Sequence, residues 1–229
     1  MTSTRGAVAM LGLALASCSG APFPSPSPAS TDPGRPLPSP VPEVVARVNG
    51  QPIRIGQILP IAKSELDRVP DADRDRKRPE ALRHALEQYV DRELLLQEAL
   101  ARGIKADSRA VDWAYDQMRR EHAGEQAWAE FLAEQGMDPQ SFKDELRAQH
   151  TVAALVEQEV RAFPVPEAAA RAAFEADPEA FGPEGAKAPP AFEAVREEVE
   201  AAVRQGQRTA IHDALLGRLR GKARIELLL

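Results

Sequence analysis

The stretch Val44–Ile55, VVARVNGQPIRI, decides the fold. Asn49-Gly50 at its centre is the strongest short signal for a β-hairpin, because both positions of the tight turn need a positive φ. A two-residue loop pairs residue 48 with 51, 46 with 53 and 44 with 55. This register places five apolar side chains on one face of the hairpin, namely Val44, Ala46, Val48, Ile53 and Ile55.

Pro52 and the end of the chain predict how this sheet is extended. Pro52 has no N–H, so its strand must be an outer edge, and a third strand must join beside Val44–Val48. The segment 223–229, ARIELLL, supplies that strand because it alternates apolar and polar residues over 223–227. The result is a small antiparallel sheet that brings the two ends of the domain together.

Between the hairpin and the last strand, apolar residues recur at helical spacing. Residues 79–101 predict a helix with Leu82, Leu86 and Val90 on one face. Other helices are predicted from Ser108, around Trp128 and Leu132, from Asp138-Pro139, and over 190–220 with a bend at Gly206. The low aromatic content, 5%, agrees with a helical protein. The expected fold class is mainly α, a helical array closed by a small antiparallel sheet.

The N-terminal residues predict export and lipidation. The uncharged run Gly6–Ala16 is too short to span a bilayer and is typical of a signal-peptide core. The motif Leu15-Ala16-Ser17-Cys18 resembles the lipobox of bacterial lipoproteins, which implies that residues 1–17 are removed and that Cys18 carries lipid. Ser19 then implies a periplasm-facing protein of the outer membrane. An ordinary secretory peptide with an incidental cysteine is the alternative.

A proline-rich segment separates this signal from the folded domain. Nine prolines fall between residues 21 and 43, with Ser, Thr and Gly among them. Such a composition cannot form a packed core, so residues 18–43 are predicted to be an extended tether. The folded domain is expected over residues 44–229.

The order of these parts resembles the SurA and PrsA family of cell-envelope chaperones. Its most specific segments are Val45–Gly50 (VARVNG), Leu94–Ile104 (LLLQEALARGI) and Ala173–Phe181 (AFEADPEAF). The resemblance implies a domain that binds polypeptides. In family members a parvulin prolyl-isomerase domain commonly follows a segment like the last one. Here only Gly182–Pro190 precedes the closing helix, so we expect no isomerase domain and no enzymatic activity.

Other functional classes lack their sequence signals. The net charge is −6 and the Lys and Arg residues are scattered, which argues against a nucleic-acid surface. None of the histidines at 84, 122, 150 and 212 belongs to a metal-binding motif. Asp71, Asp73 and Asp75 have the spacing of a calcium loop but lack its Gly and Glu, so they predict a solvated connector. We expect no metal, no cofactor and no small-molecule substrate.

Accessible apolar surface is therefore the feature expected to carry function. Trp113 lies on a polar face of its helix, so it either packs on another segment or is exposed to a partner. The candidate client-binding residues are Trp113, Met118, Trp128, Phe131 and Met137. We expect an ATP-independent chaperone, tethered by lipid, that binds unfolded or outer-membrane-bound polypeptides. A lipoprotein adaptor subunit that holds one specific folded envelope partner is the alternative.

Overall fold

The computed structural model describes residues 37–182 and 188–229. Cys18, the predicted signal peptide 1–17 and the tether up to residue 36 lie outside the described residues. The strands are β1 (Val44–Val48), β2 (Gln51–Arg54) and β3 (Ile225–Leu227). The α-helices are α1 (Ile55–Leu66), α2 (Asp71–Ala101), α3 (Ser108–Arg120), α4 (Glu125–Glu134), α5 (Pro139–Ala162), α6 (Glu167–Ala176), α7 (Phe192–Gly206) and α8 (Arg208–Lys222). The predicted fold class, mainly α with a small antiparallel sheet, is confirmed.

The three strands lie in the order β2-β1-β3, and both pairs are antiparallel. The prediction that β2 is an edge strand and that the C-terminal strand joins β1 is confirmed. The predicted pairing of residue 44 with 55 is wrong, because a bulge at Val45 pairs Val44 with Arg54. The bulge turns both Val45 and Ala46 into the core, where each is fully buried.

Helix α1 begins directly after β2, so Ile55 is helical and not part of the strand. The side chain of Gln57 accepts a hydrogen bond from the Arg54 backbone N–H at 2.8 Å, which caps the first turn. Ile58 and Ala62 lie one turn apart on the same face and are buried. α1 therefore lies across the domain with one apolar face on the core.

Helix α2 begins at Asp71, so the prediction of a solvated connector at Asp71, Asp73 and Asp75 is wrong. Pro79 lies inside this helix and not in its first turn. Acidic residues at a helix start are favourable with the helix dipole. Asp71 and Asp73 also form ion pairs at 2.8 Å with Arg74 and Arg76, respectively. These local contacts stabilise a highly charged first turn that has little apolar surface to bury.

Helix α2 joins the parts of the molecule. Its first half packs on the sheet and on α1 around Leu86, and we call this cluster the sheet core. Its last turns pack on α5 and α8 in a second cluster, the central core, which contains Leu95, Ala99, Leu155 and Leu215. The first turns of α5 also pack on α3 and α4 in an aromatic lobe, defined by Val111, Trp128, Leu132, Phe142 and Leu146.

The closing segment consists of two helices, where the sequence predicts one bent helix over 190–220. The chain leaves helical geometry at Gln207, next to the predicted bend at Gly206. α7 packs on α6 through Phe192 and Val199. α8 then returns to the central core and delivers β3 to the sheet, so the two ends of the domain meet as predicted.

Candidate functional site

An open groove lies between α1, the start of α2 and the turn from α4 to α5. It encloses about 750 Å³, a volume typical of ligand sites in proteins. Its apolar lining residues, glycines apart, are Leu59, Pro60, Ala62, Leu66, Leu82, Ala133 and Met137. The groove thus lies between the sheet core and the aromatic lobe, on elements that belong to different parts of the chain.

The α1 wall presents Leu59 to the groove. Ile58 and Ala62 on the same helix are held in the sheet core, so the next helical position turns outward. Leu59 is 49% exposed. Gln57 fixes the start of this wall, because its side-chain N–H also donates to the Tyr89 hydroxyl at 2.7 Å. Burial raises the pKa of Tyr89 above 10.0, so this phenol is neutral at physiological pH.

The opposite wall is the turn from α4 to α5, which carries Met137. Gly136 ends α4 with a φ of +65°, a left-handed conformation that favours glycine. The N–H groups of Gly136 and Met137 donate to the carbonyls of Ala133 and Leu132. Asp138 then caps α5 by accepting bonds from two backbone N–H groups. A rigid turn therefore holds the half-buried Met137 at the groove.

The rim of the groove carries charges of both signs. Arg74 donates to the carbonyls of Leu66 and Val69 and pairs with Asp71, so it ties α1 to α2. Lys63 has no ion-pair partner within the described part of the chain. Arg78 and the acidic side chains of Asp67 and Glu134 also line the groove, so three positive side chains stand against two negative ones. Because these charges nearly cancel, the groove favours a partner through its apolar surface and not through net charge.

The predicted client-binding residues do not form one surface. Trp128 is 4% exposed and stacks on Phe131, with 5.4 Å between ring centroids. Met118 and Phe131 are half-buried against the aromatic lobe, and only Met137 of the five lines the groove. The burial of Trp128 has a physical reason, since its face of α4 packs on α3 and α5. Trp128 is part of a core and offers little surface to a client.

Trp113 is exposed. It lies on the outer face of α3, with 64% of its surface accessible, while Val111 on the same helix is buried in the aromatic lobe. Of the two alternatives that the sequence left open for Trp113, the structure shows the exposed one. A large aromatic side chain exposed on a helix is a feature of binding surfaces, where Trp is enriched.

The sequence interpretation missed Leu59, because it assigned no element after the hairpin. The signal was present, since Ile55, Ile58, Ala62 and Leu66 follow helical spacing. Pro60 within this run hides the pattern, because proline usually marks the end or the first turn of a helix.

The described residues give no sign of a metal centre or a membrane span. Over 37–182 and 188–229, no cluster of three or more His, Cys, Asp or Glu side chains could hold a metal ion. None of the helices in these ranges is long and apolar enough to cross a bilayer.

The chain belongs to the family of SurA-like N-terminal domains, whose profile matches residues 31–156. This membership supports a chaperone-type role in general. The matched residues include β1, β2, both walls of the groove and the aromatic lobe.

The chain is similar to a chain from the solved structures of PEB4 and Cj1289, two SurA-like chaperones of Campylobacter jejuni, with a TM-score of 0.44 and 15% sequence identity. The alignment covers 82% of this chain and 99% of the other. No curated protein matches.

Proposed function

We propose that this protein is an ATP-independent chaperone that holds unfolded polypeptide segments in the groove between α1 and the α4–α5 turn. The observation that carries the proposal is an accessible apolar groove in a domain of the SurA-like family. Leu59 lines the groove from α1, and Met137 lines it from the α4–α5 turn. Burial of apolar area is not directional, so such a groove accepts many sequences.

The strength of this contact suits a chaperone that works without ATP. Burying one Leu or Met side chain completely is worth about 1.5–3 kcal/mol, and Leu59 is already about half covered. Covering Leu59 and Met137 therefore contributes a few kcal/mol. This energy belongs to the two side chains and not to the whole complex, so the client is held by the sum of several weak contacts, each of which can release spontaneously.

Trp113 is proposed as a second contact for the same client. Its exposed ring adds a large apolar area at small cost in side-chain entropy. A client that reaches both Trp113 and the groove gains from two weak contacts on one chain.

The proposal also concerns where the chaperone works. Cys18 is proposed as a lipidated anchor in the cell envelope, with the outer membrane as its site and residues 18–43 as the tether. At ~3.1 Å per residue an extended tether holds the folded domain up to roughly 80 Å from the membrane. Clients at or near the membrane surface, including outer-membrane-bound polypeptides, are then within reach.

The proposal is tested by suppression of aggregation. The purified full chain, mixed at near-stoichiometric ratio with a chemically unfolded client and no nucleotide, should reduce light scattering on dilution. Leu59→Ser should weaken this effect several-fold. Leu100→Ser is the matched control, because Leu100 is also an exposed leucine on a helix, 60% accessible, but lies outside the groove.

Two results would contradict the proposal. The first is a wild-type chain that leaves aggregation unchanged, together with the recovery of one stoichiometric folded partner from cell envelopes, which favours the adaptor alternative. The second is equal loss of activity in Leu59→Ser and Leu100→Ser, which would mean that the groove has no special role.

A further inference from the structure

The two edges of the sheet differ in their capacity to pair with another strand. Pro52 on β2 pairs with Arg47, next to the hydrogen-bonded pair of Val48 and Gln51 that closes the turn. Hydrogen-bonded and non-hydrogen-bonded pairs alternate along an antiparallel ladder. Pro52 therefore belongs to a non-hydrogen-bonded pair, and its backbone N and C=O face away from β1. Proline has no N–H, which blunts this edge against further pairing.

The other edge, β3, keeps its outward hydrogen-bonding groups. The Asn49 N–H donates to the Arg224 carbonyl and the Leu228 N–H donates to the Val45 carbonyl, both across the pair of β1 and β3. Residues 224, 226 and 228 therefore point their backbone groups at β1, and Ile225 and Leu227 point theirs away. No strand lies beyond β3 among the described residues.

We propose that the β3 edge binds an extended client segment as a fourth strand, through the N–H and C=O groups of Ile225 and Leu227. This inference rests on the proposed chaperone function and specifies how a client segment binds. Strand addition draws its affinity from the backbone, so it tolerates many client sequences.

The side chains beside this edge specify the pattern of the client strand. Ile225 and Leu227 are partly exposed and pack against the sheet core. On the opposite face Arg224, 83% exposed at its side chain, pairs with Glu226 at 2.7 Å. A strand that alternates apolar and polar residues extends both faces at once.

A second copy of the chain fits this edge less well. A symmetric antiparallel pair that uses both Ile225 and Leu227 is centred on Glu226, so the two Glu226 carboxylates lie directly opposite each other. If the symmetric pair is instead centred on Ile225, Leu227 of one copy lies opposite Ala223 of the other. The Ala223 N–H already donates to the Leu219 carbonyl, so it is not available for this pairing. A foreign strand has neither restriction.

The test uses Leu227→Pro and Leu227→Ala in the full chain. Both variants remove the leucine side chain, but only proline removes the outward N–H, and neither removes a bond to β1. The probe is a fluorescent peptide of about nine residues, the length of a membrane β-strand, with alternating apolar and polar residues. We expect Leu227→Pro to bind it about tenfold more weakly than Leu227→Ala, with similar melting temperatures.

A peptide-side test keeps the inference falsifiable if Leu227→Pro does not fold. The peptide is N-methylated on every second residue, either on its apolar or on its polar positions. In an added strand, only every second residue directs its N–H toward β3. Methylation of those N–H groups should abolish binding to the wild-type protein, and methylation of the alternate N–H groups should not. The strand site would be overturned if both methylated peptides bind equally or if both lose binding equally. It would also be overturned if Leu227→Pro and Leu227→Ala bind the unmethylated peptide with equal affinity.

These measurements distinguish failure of the β3 strand site from failure of the proposed chaperone function. A wild-type chain that suppresses aggregation, while Leu227→Pro and Leu227→Ala bind the peptide equally, overturns only the strand site. A wild-type chain that neither suppresses aggregation nor binds the peptide overturns both.

Discussion

Replacing Leu215 by alanine should unfold the domain at a markedly lower temperature. Leu215 lies on α8, beyond the residues that the family profile matches, and is 1% exposed. It packs in the central core against Leu95 and Ala99 of α2 and Leu155 of α5. The change therefore tests whether α8 belongs to the same cooperative unit as the groove.

The expected loss follows from this packing. Leu→Ala substitutions in cores cost about 2–5 kcal/mol, the larger values where neighbours cannot close the cavity. The neighbours of Leu215 lie on two other helices that are fixed by their own contacts, so we expect about 3 kcal/mol, near the middle of this range. For a domain of this size that corresponds to a drop in Tm of roughly 6–12 °C.

The measurement is thermal and urea unfolding followed by circular dichroism. Leu100→Ala is the matched control, because the same atoms are removed from a leucine that is 60% exposed, and it should change stability by less than about 0.5 kcal/mol. Equal effects of Leu215→Ala and Leu100→Ala would refute the central core as described. A separate early transition in Leu215→Ala would show that α8 unfolds independently of α2.

Three further predictions concern the anchor, an ion pair and the exposed tryptophan. Cys18→Ser should abolish incorporation of a labelled fatty acid, and label retained by the variant would contradict the proposed lipidation. Hydrogen bonds from Arg102 and Arg218 hold the pKa of Glu159 below its ordinary 4.5, so its contribution to stability is present at neutral pH and lost as the pH falls below that value. The difference in Tm between wild type and Glu159→Gln should therefore shrink in acid, and a constant difference would refute this contribution. Trp113→Ala should weaken client binding without lowering Tm, since the side chain is mostly exposed, and a clear fall in Tm would instead assign Trp113 a packing role.

The sheet could be predicted from the sequence because its signals are local. Asn49-Gly50 dictates the turn, Pro52 dictates the edge, and the alternation after Ala223 identifies the third strand. The bulge at Val45 could not be predicted, because the run VVARV is apolar at consecutive positions and satisfies two registers. Only the sheet core, which takes both Val45 and Ala46, selects between them.

The start of the helical array was harder to predict. α1 contains Pro60, and the first turns of α2 are charged and precede Pro79, so both segments lack the usual marks of a helix. Contacts between α1 and α2, and ion pairs such as that of Arg74 with Asp71, stabilise them in the fold. Long-range packing therefore overrides weak local propensity here.

The groove itself could be predicted only in part. The residue type alone predicts Met137 as a contact, since methionine adapts to varied partners. Its place in the same groove as Leu59 depends on how the aromatic lobe lies beside α1, which no local pattern encodes. The burial of Trp128 in the aromatic lobe depends on which face of α4 meets α5, and spacing on one helix does not reveal that face.

Site-specific photo-crosslinking tests the central claim that unfolded polypeptides bind in the groove. A photoreactive amino acid replaces Leu59 in one full-length protein and Leu100 in another, and each is irradiated with the same client in its unfolded and native forms. We predict a cross-link from position 59 to the unfolded client and little from position 100 or to the native client. Equal cross-linking from both positions, or cross-linking to the native client alone, would contradict the claim.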